Sequence, residues 1–182
     1  LPQLLQTALK KTGEDAEILI LVATSGDTGK AALEGFADVD QIKILVFYPT
    51  GGVSKIQNLQ MCTQKGANVR VVAVKGNFDD AQNGVKEIFG DKVFGEKLAA
   101  GNVKLSSANS INWGRLVPQI VYYFSAYAEL LEKGTIAAGE AIDFCVPTGN
   151  FGDILAGYYA KRMGLPVAKL ICASNSNNVL TD

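Results

Sequence analysis

Ile18-Leu19-Ile20-Leu21-Val22-Ala23-Thr24-Ser25-Gly26-Asp27-Thr28-Gly29-Lys30, residues 18–30, decides the fold. The run from Ile18 to Ala23 shows no apolar–polar alternation, so it predicts a strand buried on both faces. Small and polar residues then turn the chain, and a helical pattern follows from Lys30 to Phe36. Thr28, Ser25 or Asp27 can cap that helix. A doubly buried strand that feeds a helix through a short turn is the opening of a βαβ unit.

The same pattern recurs along the chain. Ile42–Phe47, Val69–Val74, Ile142–Val146 and Lys169–Ala173 read as buried strands, and Val103–Ser106 as a weaker one. Helical patterns lie between them: Ser54 to Gln64 with Ser54 as cap, Phe78 to Phe89, Trp113 to Leu131 and Gly152 to Met163. This spacing predicts an α/β protein of parallel sheets with helices on both faces. The stretch 134–140, Gly-Thr-Ile-Ala-Ala-Gly-Glu, is the candidate turn between lobes. The aromatic run Tyr122, Tyr123, Phe124 and Tyr127 reads as core. Asp79-Asp80 reads as a charge pair at a helix N-terminus.

Bulk composition narrows the function. The 182 residues suit one domain or two small lobes. Hydrophobic residues at 48% are enough to build a core, and a net charge of −1 gives no electrostatic bias toward nucleic acid or anionic membrane. Histidine is absent, which excludes Ser-His-Asp and Cys-His hydrolysis and most zinc sites. The three cysteines, Cys62, Cys145 and Cys172, form no CxxC pair and fit a reduced intracellular chain. Cys145 and Cys172 sit in apolar runs and are expected to be buried. No apolar run reaches eighteen residues, and the opening Leu-Pro-Gln-Leu-Leu-Gln has no basic leader and no small-residue cleavage site, so it does not read as a signal peptide. Both ends read as cut from a longer chain.

In open parallel sheets, ligands sit beyond the carboxyl ends of strands. Three segments fall there. In Thr24–Lys30, amides at a helix start and the Ser25 and Thr28 hydroxyls favour an anion. The alternative is an ordinary capped helix. In Pro147–Asp153, glycines let backbone amides approach a phosphate. The alternative is a tight strand-to-helix turn. In Ser106–Arg115, Arg115 near a helix start can meet a phosphate or carboxylate with two parallel hydrogen bonds. The alternative is a polar loop with a solvated or paired arginine.

Together, SGDTGKAALEGF (25–36), VFYPTGGVSKIQNLQM (46–61), GNFDDAQ (76–82), SSANSINWGRLVPQIVYY (106–123) and PTGNFGDILAGYYAKRMGLP (147–166) resemble threonine synthase. The resemblance implies a fold type II pyridoxal-phosphate (PLP) enzyme, tryptophan synthase beta-like, with two α/β lobes. Residues 1–112 would be the small lobe and 113–182 the start of the large one. It implies that Ser25 and Asp27, with Thr148, Gly149, Asn150, Phe151 and Gly152, contact PLP. It likewise assigns Ser25, Thr28, Ser110, Arg115 and Asn150 to the substrate, O-phospho-L-homoserine. The glycine-bearing turns would bring these donors together in one cleft.

The same resemblance places the Schiff-base lysine in an Ala-Phe-Lys-Asp-type motif upstream of a helix like Leu1–Lys11. No lysine here has that neighbourhood; Lys30, Lys55 and Lys161 read as solvated helix residues. The expectation is a PLP-dependent lyase of threonine biosynthesis, cytoplasmic, plausibly a monomer, whose present 182 residues are inactive alone. Two other functions fit the residues: a non-catalytic Rossmann-like phosphate- or nucleotide-binding module, and another fold type II lyase such as a dehydratase.

Overall fold

The computed structural model describes residues 1–109, 112–149 and 151–176. The chain divides into two compact units, Leu1–Asn109 and Ser110–Asp182. The first runs α1 (Pro2–Thr12), β1 (Glu17–Ala23), α2 (Asp27–Phe36), β2 (Ile42–Pro49), α3 (Lys55–Cys62), β3 (Val69–Val74), α4 (Phe78–Gly90), α5 (Lys92–Ala100) and β4 (Val103–Ser107). The second runs α6 (Trp113–Glu132), β5 (Ile142–Pro147), α7 (Gly152–Arg162) and β6 (Val167–Ala173).

In the first unit the strands form one parallel sheet in the order β3-β2-β1-β4. Ile18 pairs with Ile42 on one side of β1, and Glu17 pairs with Val103 on the other. Even-numbered β1 residues Ile18, Ile20 and Val22 pack with Leu33 and Phe36 of α2, Leu9 of α1 and Met61 of α3. Odd-numbered Leu21 and Ala23 pack with Ala81 and Val85 of α4. Helices thus cover both sides, which is why β1 needs apolar residues at every position. Burying a side chain such as Leu33 or Phe36, at 0% and 1% exposure, contributes about 2–3 kcal/mol each.

Helix starts follow local chemistry. Ser54 and Gln57 form a reciprocal capping box at α3, and Asn77 and Asp80 form another at α4. The Asp79-Asp80 pair therefore serves a helix N-terminus. Helix α5 was not expected from the sequence. It starts on an Asp91 cap whose carboxylate accepts from the Phe94 amide, and it buries no residue fully. With so narrow an apolar face, its periodicity is weak.

In the second unit β5 and β6 form a parallel pair. Helices α6 and α7 cover one face through Tyr123, Tyr127, Ile154, Ala156 and Ala160. Along β5, Val146 is buried while Asp143, Cys145 and Pro147 face outward. This corrects the expectation for the cysteines, since Cys145 and Cys172 are both exposed. An apolar run buries completely only when both faces of its sheet are covered. The aromatic run also splits: Tyr123 and Tyr127 are core, whereas Tyr122 and Phe124 are exposed. Gly157 lets α7 meet α6 closely, because a Cβ there would lie 2.7 Å from the Tyr123 ring.

Residues 134–140 do not join the units. They lie within the second, where the Tyr127 hydroxyl donates to the Glu140 carbonyl and accepts from the Gly139 amide. The division falls at Asn109/Ser110 rather than at 112/113.

Candidate functional site

The strand order reverses across β1 and β4: β2 and β3 extend to one side of β1, and β4 lies on the other. This reversal is where open α/β sheets bind ligands. Two loops meet there. Asn109, just past β4, donates from Nδ2 to the Ala23 carbonyl at the end of β1 (3.1 Å), and its own amide donates to the Ser107 hydroxyl (3.1 Å).

The turn from β1 to α2 is organised by Thr24, a residue not singled out from the sequence. Its side chain is buried at 2% exposure. Its Oγ1 accepts from the amides of Gly26 (3.0 Å) and Gly29 (2.9 Å) and donates to the Gly26 carbonyl (3.1 Å). The helix begins at Asp27 with Gly26 as its cap residue, which offers no side-chain acceptor of its own. Neither Ser25, Asp27 nor Thr28 has the capping role the sequence allowed, because the inward amides are already held by Thr24.

This arrangement leaves an outward set of donors. Among the described residues, the amides of Ser25, Asp27 and Thr28 and the hydroxyls of Ser25 and Thr28 have no hydrogen-bond partner. Donors at the start of the ten-residue α2 favour an anion. Asp27 turns its carboxylate sideways, where Oδ1 accepts from Gln57 Nε2 at 2.7 Å.

The second glycine turn joins β5 to α7. Thr148 anchors it: its amide (2.9 Å) and its hydroxyl (3.1 Å) both donate to the Ala173 carbonyl at the end of β6. Gly149 has φ +44° and Phe151 φ +62°, both left-handed. That conformation is free for glycine and costs about 1–2 kcal/mol for phenylalanine. Strain of this kind persists where the surrounding structure imposes it, often at functional turns. Among the described residues, the amides of Gly149, Gly152 and Asp153 have no partner. Pro147, Thr148, Gly149, Ala173, Ser174 and Asn175 line an open hollow beside this turn.

Asn112 starts α6 by accepting from the Gly114 amide at 2.9 Å, which sets Arg115 in the helix's first turn, half-buried. Ser110 and Asn150, two of the expected site residues, lie outside the described residues. Ser25, Asp27 and Thr28 belong to the first unit; Arg115, Thr148, Gly149, Phe151 and Gly152 belong to the second. Among the lysines expected to be solvated, Lys30 is held by Glu34 and Gln64, and Lys161 donates to the Ala168 carbonyl (2.9 Å). No cluster of three or more metal-ligating side chains occurs among the described residues. Nor is any helix among them long and apolar enough to cross a membrane.

Tyr123 supports the second turn from beneath. Its hydroxyl donates to the Asp153 carbonyl (2.8 Å) and lies 3.1 Å from the Asp153 carboxylate. Burial, and then the neighbouring Asp153 charge, push its phenol well above the ordinary tyrosine range.

The fold is that of the fold type II pyridoxal-phosphate enzymes. No family model matches the sequence. The chain superposes on the crystal structure of PLP-bound threonine synthase from Brucella melitensis with a TM-score of 0.81 and 44% identity, covering 98% of this chain and 36% of that one. It is 47% identical to threonine synthase of Pseudomonas aeruginosa over 180 residues, 99% of this chain and 36% of that protein. It is 51% identical to threonine synthase-like 1 of Homo sapiens over 171 residues, 90% of this chain and 23% of that protein. The chain is homologous to the threonine synthases along nearly its whole length, and it spans about a quarter to a third of the relatives it matches.

Proposed function

We propose that these residues are the anion-holding part of a threonine synthase, which converts O-phospho-L-homoserine and water to L-threonine and phosphate. The observation that carries this reading is the pair of strand-to-helix turns, 24–29 and 147–152. Among the described residues, each leaves amides without partners at the start of a helix. A phosphorylated amino acid handled on a phosphorylated cofactor needs several such receptors.

The donor set at α7 fits the phosphate of PLP. Among the described residues, the amides of Gly149, Gly152 and Asp153 have no partner at and just before the start of α7, and Gly149 adopts a backbone shape that a side chain would strain. Gly149, Asn150, Phe151 and Gly152 would hold that phosphate, on a turn anchored by Thr148. Bound PLP supplies an electron sink for proton loss beside the amino group.

The chain's own residues do the rest. The turn that carries Ser25, Asp27 and Thr28 would meet the substrate carboxylate and the ring hydroxyl of bound PLP, with the Ser25 and Thr28 hydroxyls and the amides between them as donors. Ser110, Asn150 and Arg115 take the substrate phosphate. As that phosphate leaves it gains charge, and the arginine's two parallel N–H groups stabilise it most at that moment. Proton transfer from carbon needs the imine-forming lysine, and none of the chain's lysines sits in the expected motif. These 182 residues alone therefore turn over no substrate.

The test uses the full-length parent. Phosphate and threonine should appear in equal amounts from O-phospho-L-homoserine. Arg115→Ala should raise KM roughly tenfold or more, because it removes a charge-assisted pair. The 182-residue chain, treated with PLP and borohydride, should show no lysine-linked PLP by mass. An unchanged KM in Arg115→Ala, or a PLP-modified lysine within the chain, overturns the reading.

A further inference from the structure

Gln57 performs two tasks with one side-chain amide. Its Oε1 accepts from the Ser54 amide (3.0 Å), closing the α3 capping box. Its Nε2 donates to Asp27 Oδ1 (2.7 Å), thirty residues away at the start of α2. The side chain reaches Asp27 across Gly26. A Cβ on that glycine would lie 2.4 Å from Gln57 Nε2 and 2.6 Å from Cδ. Gly26 is thus the gap through which α3 grips the α2 turn.

The residue type is informative. A capping box works equally well with glutamate or glutamine. Only glutamine can close the box and also donate to a carboxylate, whereas glutamate would set a second negative charge against Asp27. Meanwhile Asp27 itself brings a negative charge to a helix start whose free amides suit an anion. With Asp27 drawn toward α3, the Ser25, Asp27 and Thr28 amides are left to the ligand.

We propose that Gln57 is a positioning residue: it fixes the Asp27 carboxylate sideways and so keeps the α2 turn open to the substrate's carboxylate. This rests on the function proposed above for that turn. Gln57 touches no ligand in this role; it acts through Asp27.

The test uses the full-length parent with Gln57→Glu, Gln57→Ala and the exchanged pair Asp27→Asn/Gln57→Glu. In the exchanged pair the introduced amide on α2 can donate to the introduced carboxylate on α3, so the bond is restored with its direction reversed. Gln57→Glu keeps the capping box, so its melting temperature should stay close to wild type, while its KM for O-phospho-L-homoserine rises roughly tenfold with kcat little changed. Gln57→Ala should lose both thermal stability and affinity. Backbone hydrogen exchange in residues 24–36 should speed up in Gln57→Glu and return toward wild type in the exchanged pair. Exchange is read without turnover. If the wild-type parent shows no activity on this substrate, the functional reading fails while the clamp is still measured. A Gln57→Glu protein with unaltered KM and unaltered exchange overturns the proposal. So does an exchanged pair that exchanges as fast as Gln57→Glu.

Discussion

Replacing Thr24 by valine removes one hydroxyl and keeps the shape. Thr24 Oγ1 serves three hydrogen bonds in a buried setting. In Thr24→Val the Gly26 amide loses its acceptor inside the protein, an orphaned donor that costs about 1–3 kcal/mol. The Gly29 amide keeps a longer bond to the Gly26 carbonyl at 3.2 Å, so its loss is about 1 kcal/mol. The Gly26 carbonyl still accepts from Gly29 and Lys30. The sum is about 2–4 kcal/mol. Thr24→Ser gives the contrast. It keeps the hydroxyl and deletes one buried methyl, at about 1 kcal/mol.

Urea unfolding followed by circular dichroism reads both variants against wild type. Hydrogen exchange over residues 24–36 reports whether the Gly26 and Gly29 amides lose protection. Valine is expected to be the worse substitution by a clear margin and to free both amides. If serine costs as much as valine, the methyl rather than the hydroxyl holds this turn, and the account of the site's inner donors is wrong.

Two further outcomes follow from the second unit. Gly157→Ala places a methyl 2.7 Å from Tyr123 and 3.0 Å from Leu170 Cδ2. That overpacking should cost about 1–3 kcal/mol, seen as a lower melting temperature, and Tyr123→Leu in the same chain should recover part of it. The raised Tyr123 phenol gives a pH dependence whose sign is fixed. Above the ordinary phenol range the unfolded chain gives up a proton that the folded unit retains. Stability should therefore be complete below pH ~10 and fall as pH rises beyond it. Tyr123→Phe should flatten that alkaline arm in denaturation curves taken from pH ~8 to ~11; an unchanged slope refutes it.

The sheet was legible because a short apolar run without alternation, closed by small or polar residues, suits little besides a strand covered on its faces. Val69–Val74 carries the same bounds in sequence and structure, and Ser54 announced α3. Helix α5 was missed because local capping and composition, not a broad apolar face, hold it. Cys145 and Cys172 were misplaced because an apolar strand does not say how many of its faces are covered. Parts of the candidate site were hidden for a different reason. Thr24 reads as the first polar residue after a strand, and only the packing of β1 and α2 makes it buried. Gln57 finds its partner thirty positions away, and no local pattern encodes such a pairing.

The two glycine turns meet the same demand in different ways. Each must satisfy the amides that point into the protein and spare those that point out. After β1, the inward amides go to a side chain, Thr24 Oγ1, and the awkward backbone angle falls on Gly26 at φ +151°, where it is free. After β5, the turn is held mainly through the backbone, with the Thr148 hydroxyl as a second tie to the same carbonyl. Thr148 is tied to the end of β6, the Phe151 amide donates to the Thr148 carbonyl (2.8 Å), and the left-handed angle falls on Phe151. The first turn therefore depends on one hydroxyl, and the second on the register of β5 with β6. Substitutions that disturb the first should act locally at residues 24–29. Those that loosen the β5–β6 pairing should release the second turn even when none of its own residues is changed.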